Sequence, residues 1–152
     1  MSDKFTPHPL AAELLAAGVP VELHPLMSPH GVGTLVSKMG IVFTQMSIES
    51  MVATMPVESN TQVTGLLHGG AHVVLAETLG SFAAAFHAGA GRKVVGIEIN
   101  ATHHRGIAEG LVTGTATPIH LGRTLTTHEV VMRDPAGRRL STCRITNMIL
   151  DR

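Results

Sequence analysis

At 152 residues, with 44% apolar and 14% charged side chains, the chain has the composition of one globular domain rather than of a disordered segment. Eleven basic and eleven acidic residues give a formal net charge of zero, which removes any general electrostatic case for binding nucleic acid or an anionic membrane. Four Phe with no Trp or Tyr argue against stacking platforms for single-stranded nucleic acid, and one cysteine, Cys143, excludes an internal disulfide framework.

The N-terminal stretch MSDKFTPHPLAAELLAAG carries acids at Asp3 and Glu13 and lacks an apolar core, so it does not read as a signal peptide. No apolar run reaches the length of a membrane span, and a reduced, cytoplasmic setting is the expectation. Leu10 to Ala17 is rich in Ala and Leu and stops at Gly18, the pattern of a short helix. Val19 to Gly33 holds three prolines and reads as an irregular connection. Residues 1–33 are thus set apart from a main domain at 34–152. Beyond Thr34 β-branched residues take over, and Met39 to Ile48 and Met51 to Val57 are expected as strands, with Pro56 ending the second or placing it at an edge. Glu58 to Thr64 is a polar loop.

A helix is expected from about Gly69 to Phe86, apolar all round and therefore central, and stopped by the glycines at 89 and 91. Strands follow at Val94 to Thr102, with Val95, Ile97, Ile99 and Ala101 on one face, and at Leu111 to Ile119, Leu125 to Arg133 and Arg138 to Leu150. The turn Asp134-Pro135-Ala136-Gly137 separates the last two, and Cys143 reads as a small core side chain. One long buried helix and several consecutive strands make an α+β protein, the helix packed on an antiparallel sheet.

The chemistry concentrates on that helix. Glu77 is a lone carboxylate among apolar and small residues, a setting that raises a carboxyl pKa and suits a general base or nucleophile. Pairing with a buried arginine, or a subunit contact, is the alternative reading. Ser81 lies four residues on, on the same helix face, where its hydroxyl can hold the carboxylate or a water. His68-Gly69-Gly70 stands at the helix start, whose free amides can serve an oxyanion, although two glycines there more often mean only close packing. Gly69 and Glu77 are eight residues apart, roughly 12 Å along a helix. One helix does not bring both to one carbonyl; two antiparallel copies about a two-fold axis do, so a site using both lies between subunits. His68 and His72 have the spacing of helical zinc ligands, but Gly69 stands where the glutamate of that motif belongs, and no metal is expected.

The run GLLHGGAHVVLAETLGS, Gly65 to Ser81, resembles the central helix of hotdog-fold acyl-CoA thioesterases. It is most similar to the branch of 4-hydroxybenzoyl-CoA thioesterase (Arthrobacter type), 1,4-dihydroxy-2-naphthoyl-CoA hydrolase and the proofreading thioesterase of enterobactin synthesis, the PaaI-like group. VVGIEINATHHR at Val94 to Arg105 and PIHLG at Pro118 to Gly122 extend the match. The resemblance implies a hotdog fold, an antiparallel sheet wrapped around one long helix, in homodimers that share active sites and commonly pair into homotetramers. It implies Glu77 as the catalytic carboxylate, Gln62 orienting thioester or water, the Gly69 amide as oxyanion donor, His68 near the thioester carbonyl and Ser81 beside the lytic water. Gln62 and Gly69 then come from one subunit, Glu77 and Ser81 from the other. Contacts to the CoA part of the substrate map onto Gly96, His103, His104, Arg105 and Gly106, and onto His120, Leu121, Gly122, Arg123, Thr124 and Leu125. Taken singly, the histidines and arginines of this set read as solvated surface. Arg123 and His104 depart from the usual residue types of the family, and Thr64 bears on the acyl pocket. The implied activity is hydrolysis of an acyl-CoA, aromatic by resemblance, with no cofactor. A non-catalytic acyl-CoA-binding module and an enoyl-CoA hydratase are the rivals.

Overall fold

A computed structural model describes residues 7–151; Asp3, which bears on the leader reading, lies outside them. Three α-helices, α1 (Ala11–Ala16), α2 (Thr34–Lys38) and α3 (Gly69–Ala88), accompany six strands. The strands are β1 (Val42–Met46), β2 (Met51–Pro56), β3 (Lys93–His103), β4 (Leu111–Leu121), β5 (Leu125–Arg133) and β6 (Arg139–Leu150). They form one antiparallel sheet in the order β1-β2-β4-β5-β6-β3. Helix α3 lies across its inner face, touching β2 through β6. Among the described residues no helix is long and apolar enough to cross a membrane.

The alternation in β5 and β6 sends every second residue inward, so that Val130, Met132, Cys143 and Ile145 meet Leu75 and Leu79 of α3, all at most 1% exposed. Cys143 is a buried core side chain, as its alternating segment predicts. Two glycines set how closely helix and sheet approach. A Cβ added at Gly80 would stand 2.2 Å from Ile145 Cγ2, and one at Gly114 would stand 2.8 Å from Leu79 Cδ1. Gly80→Ala therefore forces the helix off the sheet. It is expected to lower unfolding free energy by about 1–3 kcal/mol, read from the shift in urea midpoint.

The N-terminal third departs most from the sequence expectations. Thr34–Lys38 is helical, not extended, because Gly33 and Gly40, at φ 91° and 68°, turn the chain on either side and Val36 buries one face. The first strand therefore begins at Val42 rather than Met39. The stretch expected to be irregular contains a 3-10 helix, Val21–Leu26, in which buried His24 bonds the Val19 carbonyl through Nε2 at 3.1 Å. Leu14, Ala17, Val19, Val32 and Val36 join the same core as Ile41 and Phe43. The Phe43 N–H donates to the Ala17 carbonyl at 2.8 Å, so this segment covers part of the β1 edge.

The opposite edge, β3, is open along 11 residues. The single apolar face expected there is interrupted: pairing with β6 shifts between Gly96 and Glu98, leaving Ile97 as a bulge. Val95 and Ile97 are 43% and 51% exposed. An open strand of this length, with exposed apolar side chains, is a surface suited to pairing with another strand.

Candidate active site

Helix α3 starts where His68 caps it: its Nδ1 accepts the Gly70 N–H at 2.8 Å, and the His68 carbonyl accepts from Ala71 N. With those amides engaged, the Gly69 N–H makes no hydrogen bond among the described residues. It is the free donor at the positive end of a 20-residue helix. Gln62 sits just upstream in a tight turn, its N–H bonded to the Leu66 carbonyl at 2.8 Å and its own carbonyl to Gly65 N at 2.9 Å. Gly65 takes φ 81° there, which a side chain would resist. Gln62 and His68 are both exposed.

Glu77 occupies the middle of α3. The expectation of an apolar burial is corrected for the single chain: Glu77 is exposed. The sheet covers only one side of α3, and the four-residue series Val73, Glu77, Ser81 and Ala85 contains no fully buried residue. Glu77 lines a cleft of about 180 Å³ with Gly96, Ile97, Glu98, Ile99 and Ile145, between α3 and the open strand β3. A Cβ added at Gly96 would stand 3.5 Å from Glu77 Oε1, so the bulged strand lays its backbone beside the carboxylate. No arginine neutralises Glu77: the ion pairs among the described residues are Arg92–Asp151 and Arg138–Asp134.

Ser81 is half-buried one turn further, and its hydroxyl donates to Asn147 Oδ1 at 3.3 Å. Asn147, fully buried on β6, also donates from Nδ2 to the Gly80 carbonyl at 3.4 Å. Sequence reasoning missed this asparagine. Its signal was a polar residue at an inward position of a strand whose neighbouring inward residues are Ile145 and Ile149.

His103, grouped by resemblance with the CoA contacts, lies over the start of α3: a Cβ at Gly69 would stand 2.8 Å from its Nε2. The Ser141 hydroxyl donates to the Thr102 carbonyl at 3.1 Å, so it accepts from His103 Nδ1 at 3.0 Å. The His103 ring thus faces Ser141 with Nδ1 and the helix start with Nε2. His72 packs beside it, ring centroids 5.4 Å apart, and is 4% exposed with Nδ1 unpartnered among the described residues. Burial first, and then His103, push the His72 pKa down to about 4. His72 and His68 are thus drawn into separate packing and capping roles, and the described residues hold no cluster of three or more metal-ligating side chains.

Buried His128 shares this behaviour, its pKa lowered by burial and then by His87. Both folded-state values lie below the ordinary 6.5, so the unfolded chain takes up protons first as pH falls. The stability these histidines contribute is present above pH 6.5 and is lost as pH drops from there toward the folded value, about 4 for His72. The slope is at most about 1.4 kcal/mol per pH unit for each histidine. Urea midpoints at pH 7 and pH 5 are expected to differ less in His72→Leu than in the native chain.

The remaining predicted contacts do not gather in one chain. Gly106 abuts the turn after Gln62, where its Cβ would stand 2.9 Å from Leu66 Cδ1, and the Ile107 carbonyl accepts from Leu67 N. His104 points to the outer sheet face and bonds Thr142 Oγ1 at 2.9 Å, beside Arg139 and Arg144 in a cleft of about 490 Å³. Arg105 has its N–H on the Leu140 carbonyl and is exposed. His120 to Leu125 form the β4–β5 hairpin at the far end of α3, about 30 Å from its start. There the Gly122 carbonyl accepts from His87 Nε2 and the Arg123 carbonyl from Arg92 Nη1, both at 2.9 Å, and the Thr124 carbonyl accepts from Ile149 N at 2.8 Å.

Known proteins resemble this chain in sequence and fold. The sequence profile of the thioesterase superfamily matches residues 64–141. The proofreading thioesterase EntH of Cronobacter sakazakii is 48% identical over 120 residues, 78% of this chain and 88% of that protein. Among solved structures, a thioesterase from Haemophilus influenzae superposes with a TM-score of 0.74 at 38% identity, covering 77% of this chain and 82% of its own. A mutant thioesterase from Pseudomonas aeruginosa does so with a TM-score of 0.74 at 40% identity, covering 76% and 85%. A six-stranded antiparallel sheet around α3, a free amide at the helix start and an acid at its centre accompany these matches: the chain belongs to the thioesterase superfamily, with its hotdog fold and thioester-hydrolase class.

Proposed function

We propose that the chain hydrolyses acyl-CoA thioesters in an active site shared by two subunits, with Glu77 as general base. The carrying observation is the place of Glu77, unpaired in a cleft beside the open strand β3, with Ser81 one turn away. Pairing of β3 with its symmetry mate closes that edge and sets the two α3 helices antiparallel. The Gly69 amide of one subunit then approaches Glu77 of the other. The same two-fold brings the His120–Leu125 hairpin of one subunit toward the Gln62–Gly69 turn of the other, which reunites the CoA contacts that a single chain separates. Further pairing of dimers into a tetramer belongs to this reading.

In the reaction, the thioester carbonyl rests on the Gly69 N–H and Gln62 orients it. Water held by Ser81 gives a proton to Glu77 as its oxygen adds to the carbonyl carbon. The negative charge on the carbonyl oxygen is stabilised by the Gly69 amide and the helix dipole. Collapse breaks the C–S bond, and CoA leaves with the proton from Glu77. No cofactor takes part, since CoA is part of the substrate. The acyl group is a compact aromatic acid, a preference supported by likeness to aryl-CoA thioesterases alone. Incubation with benzoyl-CoA and with crotonyl-CoA tests the proposal. Thiol release supports hydrolysis, loss of enoyl absorbance without thiol means hydration, and binding without either means an effector module.

A further inference from the structure

We propose that Asn147 is a positioning residue for hydrolysis: it fixes the Ser81 hydroxyl as a hydrogen-bond acceptor toward the lytic water. The inference rests on the Glu77–Ser81 reading above and adds a residue to it. Its basis is a chain of bonds whose directions are all determined. The Gly80 carbonyl can only accept, so the atom of the Asn147 amide that faces it at 3.4 Å must be Nδ2. Oδ1 is then the atom 3.3 Å from Ser81 Oγ, and it too can only accept. The Ser81 proton is thereby committed to Asn147, and only the lone pairs of Ser81 remain for water.

The polarity matters for the chemistry. A water that donates one hydrogen to Ser81 and the other to Glu77 keeps its own lone pairs for the carbonyl carbon. A serine free to donate would occupy one of those lone pairs, or would turn back to the carbonyl four residues earlier in the helix. Asn147 is well placed to prevent both: it is 0% exposed, held on β6 and wedged where a Cβ at Gly96 would lie 3.6 Å from its Oδ1. The same added atom would lie 3.5 Å from Glu77 Oε1, so the amide and the carboxylate flank one stretch of β3.

A mutant cycle on benzoyl-CoA hydrolysis tests this. Asn147→Ala is expected to lower kcat about tenfold, the scale of one lost orienting bond, with KM within about twofold. Ser81→Ala should lower kcat by a similar factor. In the Ser81→Ala background, Asn147→Ala should then cost less than about twofold, because the group it acts through is gone. Asn147→Leu, nearly the same size and without the acceptor, runs the same cycle if the alanine variant does not fold. Multiplicative losses of kcat in the two backgrounds, or a fall in melting temperature with kcat intact, overturn the inference while leaving Ser81 and Glu77 in place. An unchanged rate in Ser81→Ala removes Ser81 from the site, and the role of Asn147 with it.

Discussion

Glu77→Gln is expected to lower kcat for thioester hydrolysis at least about a hundredfold, with KM changed little. The amide keeps the volume and the hydrogen-bonding reach of the carboxylate but cannot take a proton from water at neutral pH. The loss therefore falls on the chemical step and not on binding. Glu98 supplies the control. It lines the same cleft, but its Oε1 accepts from Asn100 Nδ2 at 2.8 Å, so it is already engaged at the edge of β3. Glu98→Gln should leave kcat within about twofold. Steady-state thiol release by the two variants separates a specific base from general negative charge in the cleft. An unaltered rate in Glu77→Gln removes the residue from the mechanism, and a large loss in Glu98→Gln moves the proton acceptor onto the strand.

Why Glu77 could be picked out from sequence, and its neighbours could not, has a physical explanation. Helix α3 was legible because it is long, bounded by glycines and free of proline, and a single carboxylate in such a run stands out against the cost of desolvation. The last strands were legible from alternation and from the Asp134–Gly137 turn, where Asp134 accepts from the N–H groups of Ala136 and Arg138. Three features were not. The bulge at Ile97 comes from pairing between β3 and β6, which alternation within one strand does not encode. His103 sits over Gly69 because the β3–β6 pairing, which extends to His103 and Ser141, carries the end of β3 to the helix start, a long-range placement that adjacency to His104 does not encode. Strand alternation in fact sends those two histidines to opposite faces, one to Ser141 and the other to Thr142. Finally, the exposure of Glu77 reflects a helix that one chain covers on one side only. Apolar character all round α3 signalled burial on every side, whereas the sheet of one chain buries one side and leaves Glu77 exposed.

That last distinction leads to the second large effect. Glu77→Ala and Gly69→Pro are each expected to be nearly inactive alone, and mixing the two is expected to restore about a quarter of native activity. Proline suits the first position of a helix and removes only the N–H that has no partner, so the lesion is confined to the oxyanion donor. Its ring must displace His103 Nε2, 2.8 Å from the Cβ position, but that atom ends a side chain exposed enough to turn. When subunits exchange at random, half of the dimers carry one of each lesion. In a shared site one of their two centres then has both Gly69 and Glu77 intact, and the other has neither. A site built within a single chain has no such intact centre, and mixing restores nothing. Heterodimers are verified by mass-tagged subunits before the assay, so absence of recovery is unambiguous. The geometry favours recovery: Gly69 and Glu77 are two turns apart on one rigid helix, and no rotation of side chains brings a 12 Å axial separation, roughly, within reach of a single carbonyl. In the proposed dimer a second copy of α3, running the other way across the β3 edge, supplies the missing half.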